Sequence, residues 1–505
     1  NVIVRSSYQG TADFEPGPGV SNFTALGGPT GDAFVAKYTD SQQLVWARSF
    51  GGASNNERVT NIEADAAGNI YVAGQFASST AQFGSITLTN VRDANNTPVW
   101  DAYVAKLDSA GNFLWAHNFG SIENDLGWDI SVSDAGDVYL AGAFQGQIDF
   151  DPDAGGTAME TSNGDRDAFV VKLDAAGSFQ WVRSFGGSGQ DEAFRVSVDT
   201  NNELLLTGPF RETVNFGTVE NPIYFTSANA EDPDTYVLKL DSSRQTQWAQ
   251  HVSGIGNVGF SRLAANADGS FFTAGAFDSS VSFVSSGNSL TASSGKDAYI
   301  AKWTSGGSLL WAKQVSGSGD VLPQNLAVDA GGNVSLVGRF KGTVDANPGS
   351  STAMLTAADT AFDGLLLTLD TNGDFTSGYS ASGMGLVRIE DVTVDIDGNT
   401  FVSGASAGNV SLPSGDTVNS TGRPLFFLNK LYAPSGSDPV EIFAGSFEVA
   451  EWNGKWVEDS QNDWFRSTQR ATEGLRSAEV DGKANNATLS LANPIDLTGY
   501  ENAQL

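Results

Sequence analysis

Acidic residues alternate with other residues in three short segments of this sequence. The segments are Asp149-Phe150-Asp151-Pro152-Asp153, Asp13-Phe14-Glu15-Pro16-Gly17 and Asp345-Ala346-Asn347-Pro348-Gly349. Alternating carboxylates can offer several oxygens to one hard cation, so they predict Ca²⁺ binding. The predicted ligands are Asp149, Asp151, Asp153, Asp13, Glu15 and Asp345. The alternative interpretation is an Asp-Pro-Gly turn in which the first Asp accepts hydrogen bonds from local backbone amides.

Groups that commonly catalyse reactions are scarce. The chain has no Cys, which excludes thiol catalysis, disulfide bonds and Cys-ligated metal sites. Its two His residues, His117 and His251, do not recur at their repeat positions, so we expect both to be surface variants. We therefore predict that the chain is not an enzyme. Pairs among the 59 acidic residues leave a glycoside-hydrolysing site open, because carboxylate separations cannot be read from sequence.

The charge balance restricts the partners. The 505 residues include 27 Lys and Arg against 59 Asp and Glu, a formal net charge of -32. Nucleic acid and anionic membranes bind stripes of positive charge, and this sequence contains none. No apolar run approaches the length of a membrane span, so we expect no direct membrane insertion. The hydrophobic fraction of 40% is high enough for a substantial core.

One motif recurs along the chain and predicts the architecture. It begins at Asp32 (DAFVAK), Asp101, Asp167, Asp234 and Asp297, with degenerate copies at Asp363 and Leu425, at intervals of 69, 66, 67, 63, 66 and 62 residues. A Trp follows fourteen residues after each of the first five Asp residues. A second motif with the same period includes GNIYVAGQF, which ends at Phe76, and Asn1 to Tyr8 is its first, degenerate copy.

Each repeat of about 66 residues divides into four strand-like runs separated by turns. In the second repeat these runs are 60–65, 70–76, 102–107 and 113–119, and Gly68 and Gly111 lie in the turns of the two hairpins. Four antiparallel strands repeated seven times predict an all-β fold, a seven-bladed β-propeller spanning residues 1–432. We expect the recurring Trp residues to pack between blades. We expect the recurring Lys and Asp residues to satisfy the hydrogen bonds and charges at the blade edges.

These motifs together resemble the SBBP repeats of bacterial β-propellers. The shared pattern is D-x-x-G-N-x-Y-x-x-G-x-F, then DFDP, then DAFVAKLD-x-x-G-x-x-x-W, then FGG. The resemblance implies a propeller in a large secreted or surface protein, and it implies no particular activity. By strand count the first repeat lacks its first strand and the seventh its fourth. We expect the chain to be a fragment, with the missing innermost strand of blade 1 supplied from upstream or from elsewhere in the chain.

A different pattern begins after the predicted linker 433–439. Residues 440–505 contain Phe447-Glu448, Trp464, Gly474 to Ala478 and Asp496 to Tyr500. They resemble the first half of the MAM-like jelly-roll domains of secreted bacterial proteins, so we expect a truncated β-sandwich here. Trp452 and Trp456 are candidates for an exposed ligand-binding platform, and the alternative is that they belong to the core of the sandwich.

The leading hypothesis is a non-catalytic module of an extracellular or cell-surface bacterial protein, whose secretion signal lies outside this sequence. It would act in structural assembly or adhesion, as in a surface fibre or layer, with calcium as a stabilising ion. Its partners would be proteins, other copies of the chain or a surface polysaccharide. The rival hypothesis is an accessory carbohydrate- or protein-binding region of a larger secreted hydrolase.

Overall fold

The computed structural model of this chain is an all-β, seven-bladed propeller. It describes residues 2–431, with gaps at 9, 16–18, 27–30, 40–42, 54–56, 94, 154, 256–258, 396–397, 413–414, 416 and 419–424, together with 464–467 and 477–480. The seven-blade arrangement predicted from the repeats is confirmed. No helix in the described part of the chain is long and apolar enough to span a membrane.

Forty strands occur in the described residues, and the first three blades contain fifteen of them. Blade 1 comprises β1 (Val2–Tyr8), β2 (Thr11–Asp13), β3 (Asn22–Thr24), β4 (Asp32–Tyr38) and β5 (Leu44–Phe50). Blade 2 comprises β6 (Glu57–Ala64), β7 (Ile70–Phe76), β8 (Thr80–Phe83), β9 (Ile86–Thr89), β10 (Asp101–Leu107) and β11 (Phe113–Phe119). Blade 3 comprises β12 (Leu126–Val132), β13 (Val138–Asp149), β14 (Met159–Leu173) and β15 (Phe179–Phe185).

The next two blades contain six strands each. Blade 4 comprises β16 (Arg195–Val198), β17 (Leu204–Phe210), β18 (Thr213–Asn215), β19 (Tyr224–Thr226), β20 (Asp234–Leu240) and β21 (Thr246–Ile255). Blade 5 comprises β22 (Gly259–Ala265), β23 (Phe271–Phe277), β24 (Ser280–Phe283), β25 (Asn288–Thr291), β26 (Asp297–Trp303) and β27 (Leu309–Gly317).

The remaining strands form the last two blades and one separate pair. Blade 6 comprises β28 (Val321–Val328), β29 (Val334–Phe340), β30 (Thr343–Asp345), β31 (Met354–Thr356), β32 (Asp363–Leu369) and β33 (Phe375–Gly383). Blade 7 comprises β34 (Val387–Val394), β35 (Thr400–Ser406), β36 (Val410–Ser411), β37 (Thr417–Val418) and β38 (Leu425–Leu431). β39 (Trp464–Ser467) and β40 (Ser477–Val480) pair with each other antiparallel. The rest of the predicted linker and β-sandwich lies outside the described residues.

The long strands of each blade form one antiparallel sheet in chain order. In blade 2 the order is β6-β7-β10-β11, and in blade 3 it is β12-β13-β14-β15. The first strands of neighbouring blades from β6 to β34 contact one another, so they are the innermost strands around the propeller axis. In the described residues, blade 1 has three long strands in the order β1-β4-β5, and blade 7 has three in the order β34-β35-β38.

A short two-stranded ribbon between the second and third long strands was not anticipated from the sequence. It is β8–β9 in blade 2, and in blade 3 it forms the outer ends of β13 and β14. The ribbons of blades 5, 6 and 7 pair with the fourth strand of the preceding blade, for instance Val252 with Phe283. Ribbon strands of two to four residues are too short for their alternation to be visible in the sequence.

The hydrophobic core lies between neighbouring blades. Each of six clusters joins two consecutive blades, from blades 1 and 2 through to blades 6 and 7. The third strands are covered on both faces, and all seven residues of β10 and of β26 are buried. Burial on both faces agrees with the continuous apolar runs in the sequences of these strands.

The recurring Trp residues join each blade to the next. Trp46 in β5 lies over the β10–β11 hairpin of blade 2, and its Nε1 donates to the carbonyl of Ser109 at 3.1 Å. Gly111, with a φ of 80°, lies directly under the indole ring, and a Cβ there would be 2.6 Å from the ring. The same close approach occurs between Trp115 and Gly177, and between Trp311 and Gly373. A small residue is therefore required opposite each of these indole rings.

We predict that Gly111→Ala lowers the free energy of unfolding by about 2–4 kcal/mol, because it adds a clash with Trp46 to the strain of a positive φ. Gly287→Ala is the matched control, because Gly287 also has a positive φ (73°) but an added Cβ would meet nothing within 4 Å. It should cost only about 1 kcal/mol. Urea unfolding followed by tryptophan fluorescence measures both. Equal losses in the two variants would contradict the Trp–Gly contact as a stabilising feature.

Candidate functional site

The Asp149 loop is organised by hydrogen bonds from its own backbone. Asp149 ends β13, and its Oδ1 accepts N–H groups from Asp151 at 3.1 Å and Ala158 at 2.8 Å. Asp151 Oδ1 accepts the N–H of Asp153 at 2.9 Å. Phe150 is fully buried, and its ring lies 4.8 Å from that of Phe169 between centroids. The loop is therefore held by a buried aromatic ring and by backbone donors to carboxylates.

The same pair of hydrogen bonds recurs in three other blades. In each case one side-chain oxygen accepts two N–H groups, one from two residues later and one from eight residues later. The acceptors are Asp13 (donors Glu15 and Ser21), Asp345 (donors Asn347 and Ala353) and Asn215 (donors Gly217 and Ile223). Because the neutral amide of Asn215 makes these bonds as well as a carboxylate does, the turn does not depend on charge.

The predicted calcium ligands lie in three separate loops. The acidic loops lie on blades 1, 3 and 6, so the fold does not combine them into one site. Among the described residues, no three or more His, Asp or Glu side chains are arranged to hold a metal ion. The turn bonds of Asp149 occupy only its Oδ1. Calcium binding at these loops stays a prediction, and Trp452 and Trp456 lie outside the described residues.

The recurring Asp at the start of each third strand has a structural role. All six are buried, and each accepts a backbone N–H from the segment that leads out of its own ribbon. The pairs are Asp32 with Leu26, Asp101 with Val91, Asp167 with Asn163, Asp234 with Ala228, Asp297 with Ser293, and Asp363 with Ala358, at 2.8–3.1 Å. These carboxylates fix the path of the chain back into the blade core.

In three blades the fourth strand supplies a second donor to this Asp. The donors are Asn118 for Asp101, Gln314 for Asp297 and His251 for Asp234. The His251 side chain is only 12% exposed, and its Nε2 is 2.7 Å from Asp234 Oδ2. The expectation of a surface variant was therefore wrong for His251, which takes the place of an amide donor. His117 is also partly buried, against Trp115, and burial lowers its pKa.

Buried carboxylates are concentrated in blades 2, 3 and 4. Burial raises the pKa of Asp101 to about 8 although Val91 N–H and Asn118 hydrogen-bond to it. Burial likewise raises the pKa of Asp125 and of Asp191 to about 7. Burial raises the pKa of Glu63 to about 8, and the nearby Asp129 carboxylate adds to this increase. These groups bind protons more tightly in the folded chain than in the unfolded chain.

Polar side chains occupy one position in each innermost strand. They are Asn61, Asp129, Arg195, Arg262, Asn325 and Asp391, in blades 2 to 7. They link neighbouring blades: Asn61 donates to Asp129, and Asn325 Nδ2 donates to Asp391 Oδ1 at 2.5 Å. Asp129 also accepts the Val196 N–H at 2.8 Å. The inner surface of the propeller is thus held together by polar contacts between blades, in addition to the apolar contacts farther out.

The structure also brings together cationic residues that the sequence did not single out. Arg262, Lys296, Arg339 and Arg388 line one cavity, although they belong to blades 5, 6 and 7. No local motif contains two of them. The only signal in the sequence would have been a comparison of equivalent positions across repeats, where Arg339 replaces the Gln, Ala or Pro of other blades.

Two curated relatives match this chain at low coverage of their own lengths, and no family model matches. Regulatory protein FlaEY of Caulobacter vibrioides is 30% identical over 119 residues, which are 23% of this chain and 12% of that protein. Uncharacterized WD repeat-containing protein L264 of Acanthamoeba polyphaga mimivirus is 21% identical over 360 residues, 61% of this chain and 26% of that protein. The chain therefore has a WD-repeat relative at low identity, and the matches span 12% and 26% of the two proteins.

Solved structures align at low similarity. A protein of unknown function from Bacteroides caccae aligns with a TM-score of 0.23 and 9% identity, covering 61% of this chain and 93% of that one. A eukaryotic initiation factor aligns with a TM-score of 0.29 and 10% identity, covering 85% of this chain and 96% of that one. At these scores neither alignment carries an argument about function.

We predict that Asp149→Asn changes the free energy of unfolding by less than about 0.5 kcal/mol in EDTA, whereas Asp149→Ala costs about 1–2 kcal/mol. The reason is that Asn keeps both turn hydrogen bonds and Ala loses them. Millimolar calcium should then stabilise the unaltered chain more than Asp149→Asn. Asp93→Asn, in an exposed loop with similar backbone hydrogen bonds, is the control. An identical calcium response in all three proteins would contradict a calcium site at Asp149.

We predict that stability falls as the pH rises from about 4 to about 8. Carboxyl groups with raised pKa values contribute stability that is fully present below their unfolded pKa and is lost as the pH passes their folded pKa. Asp101→Asn should make the slope between pH 5 and 8 less steep, by at most about 1.4 kcal/mol per pH unit. Asp108→Asn is the control, because hydrogen bonds lower the pKa of the exposed Asp108. Stability that increases over this range would show that the buried groups stay ionised.

Proposed function

We propose that this chain is a non-catalytic module of an extracellular bacterial protein and acts in assembly or adhesion. The observation that carries the proposal is the pairing of the terminal blades. Among the described residues, β38 pairs only with β35, whereas the equivalent β32 of blade 6 pairs with strands on both sides. An unpaired strand edge is a template for another strand, and folded proteins either protect such edges or use them.

The inner edge of β1 in blade 1 is less suited to that role. In five other blades a Gly of the second strand lies against a carbonyl of the first strand or of the segment just before it, so close that a Cβ would be 1.9–2.3 Å from the oxygen. They are Gly74, Gly142, Gly208, Gly338 and Gly404. Blade 1 has Ser6 at this position. A first strand of the same shape would clash with the Ser6 Cβ.

Side chains of β1 instead contact the first strand of blade 2. Arg5 donates to the Val59 carbonyl at 3.0 Å, and the Ser7 hydroxyl donates to the Glu57 carbonyl at 3.0 Å. Arg5 occupies a position at which blades 2, 3 and 5 have Ala. These contacts join blade 1 to blade 2. The outer edge of β38 is therefore the stronger candidate for strand addition.

The proposal includes finer assignments that rest on sequence resemblance. They are SBBP-type repeats for the propeller, a MAM-like jelly roll for residues 440–505, and calcium as a stabilising ion. An extracellular location is supported by this resemblance, and the strong negative charge favours a large β-rich protein that stays soluble outside the cell. A propeller also suits display, because its loops are held on a rigid scaffold of interlocked blades.

Hydrogen exchange at β38 tests the assembly role. We predict that all backbone amides of β38 are protected in the assembled protein to a degree similar to those of β32, because both edges of β38 are then paired. The protection of alternate β38 amides should disappear on dilution if the added strand comes from another chain, while β32 stays protected. Mass spectrometry of peptic fragments at two protein concentrations measures this.

Two results would overturn the assembly role. In one, alternate β38 amides exchange freely at every concentration, which would mean that the edge is unpaired. In the other, β38 is fully protected at every concentration, which would mean that its partner strand belongs to the same chain. β32 serves as the internal reference in both cases, because it has the same length and position in the neighbouring blade.

A further inference from the structure

A cavity of about 540 Å³ lies where blades 5, 6 and 7 meet beside the innermost strands. Three strands of different blades supply its main charged groups. These are Arg262 from β22, Arg339 from β29, and Arg388 and Glu390 from β34, with Lys296 and Asp320 from the segments that precede β26 and β28. The side chains of Arg388 and Glu390 are 41% and 42% exposed, so the cavity is open to solvent there.

The charge of this cavity is opposite to that of the protein. Over the whole chain, acidic residues outnumber Lys and Arg by 59 to 27. In the cavity four cations face two carboxylates, which leaves two positive charges in excess. Like charges brought together in a partly desolvated site repel one another, so an anion that binds there relieves the repulsion.

Both carboxylates of the cavity have partners of their own. Asp320 Oδ1 accepts the backbone N–H of Lys296 at 3.1 Å, and Glu390 Oε1 is 2.5 Å from Arg388 Nε. The Lys296 ammonium and the Arg339 guanidinium have no ion-pair partner in the described part of the chain. Arg339 Nε is buried there without a hydrogen-bond partner. These donors are available to a ligand.

Packing holds Arg339 and Arg262 in place. The guanidinium of Arg339 lies over the Phe362 ring at 4.9 Å from its centroid. Arg262 is buried, its Nη2 lies 3.5 Å from Gln324 Oε1, and burial together with the Arg195 charge lowers its pKa. Guanidinium groups that are held by their surroundings bind oxyanions well, because their planar donors match two oxygens at once.

We infer that this cavity binds a doubly negative oxyanion carried on a small polar molecule, such as a sugar phosphate. Two excess positive charges match a dianion. The volume lies within the range of small-molecule sites and is far larger than one phosphate or sulfate needs. Leu322 and Pro323 also line the cavity and give the remaining space an apolar wall against which a sugar ring can pack.

Titration calorimetry with the full chain at low salt tests the inference, with four probes: glucose 6-phosphate, glucose 6-sulfate, inorganic phosphate and glucose. The phosphate ester should bind, the singly charged sulfate ester and inorganic phosphate should bind more weakly, and glucose should not bind. Arg339→Gln and Lys296→Gln should each weaken binding of the better ester by about tenfold or more, because each removes a charge-assisted hydrogen bond.

The variants allow a loss of binding to be distinguished from a loss of folding. Arg339→Gln introduces the residue that blade 2 has at the equivalent position, Gln75, which pairs with Ala102 as Arg339 pairs with Gly364. Lys313→Gln is the matched control, because it removes one positive charge from blade 5 outside the cavity. It should change affinity by less than about twofold, because a charge outside the cavity is screened by salt and because Lys313 lies near the Asp374 carboxylate, at 3.9 Å. Thermal unfolding of each variant verifies folding.

Three results would overturn the inference. They are no binding of either ester, equal binding by the unaltered protein and the two cavity variants, or a loss in Lys313→Gln as large as in Arg339→Gln. If inorganic phosphate binds as tightly as the phosphate ester, the sugar adds nothing to the affinity. That result would contradict the inference that the ligand contains a sugar. None of these results depends on whether β38 pairs with another chain, so the test is independent of the assembly role.

Discussion

The rest of this propeller depends on the contact between each blade and the next. Trp46 reaches across to the hairpin of blade 2, and Gly111 leaves room for its ring. The ribbon of a later blade then pairs with the fourth strand of the earlier one, as at Val252 and Phe283. A single four-stranded sheet cannot bury both of its faces, so each blade is stable only between its neighbours. This explains why the clusters of the core lie between blades.

Hydrogen bonds to the carboxylates explain how a chain with so many acidic residues remains ordered. Many of its carboxylates accept backbone N–H groups in turns and loops. Asp101 does so at the exit of a ribbon, Asp108 in a hairpin turn, and Asp149 in an acidic loop. Burial raises the pKa of Asp101, whereas hydrogen bonds lower that of the exposed Asp108. The acidic side chains therefore serve the fold as hydrogen-bond acceptors first, and their net charge is a secondary property.

The blades differ from one another at positions where one repeat has a residue that the other repeats lack. Ser6 replaces a Gly that five other blades need, and blade 1 has no innermost strand in the described residues. Arg339 occupies a position where blade 2 has Gln75, and it contributes to a cationic cavity. Positions shared by all blades maintain the scaffold. A position that differs in one blade is free to serve a ligand, and the proposal for the cationic cavity uses such a difference at Arg339.

The repeat by itself determined the blade number, the strand order and the role of the Trp residues. Each of these follows from local periodicity and from the tight turns around residues such as Gly111, so one sequence was sufficient. The sequence also offered the turn alternative for the Asp149 loop, and the structure contains those turn hydrogen bonds.

Only the tertiary structure decided which side chains from different repeats meet. Arg262, Arg339 and Arg388 are far apart in the chain, and no local pattern relates them. Packing of consecutive blades brings their first and second strands together, so a cluster forms from residues that lie at different positions of different repeats. The ribbon pairing and the placement of His251 beside Asp234 were likewise decided by packing between strands that the sequence does not place side by side.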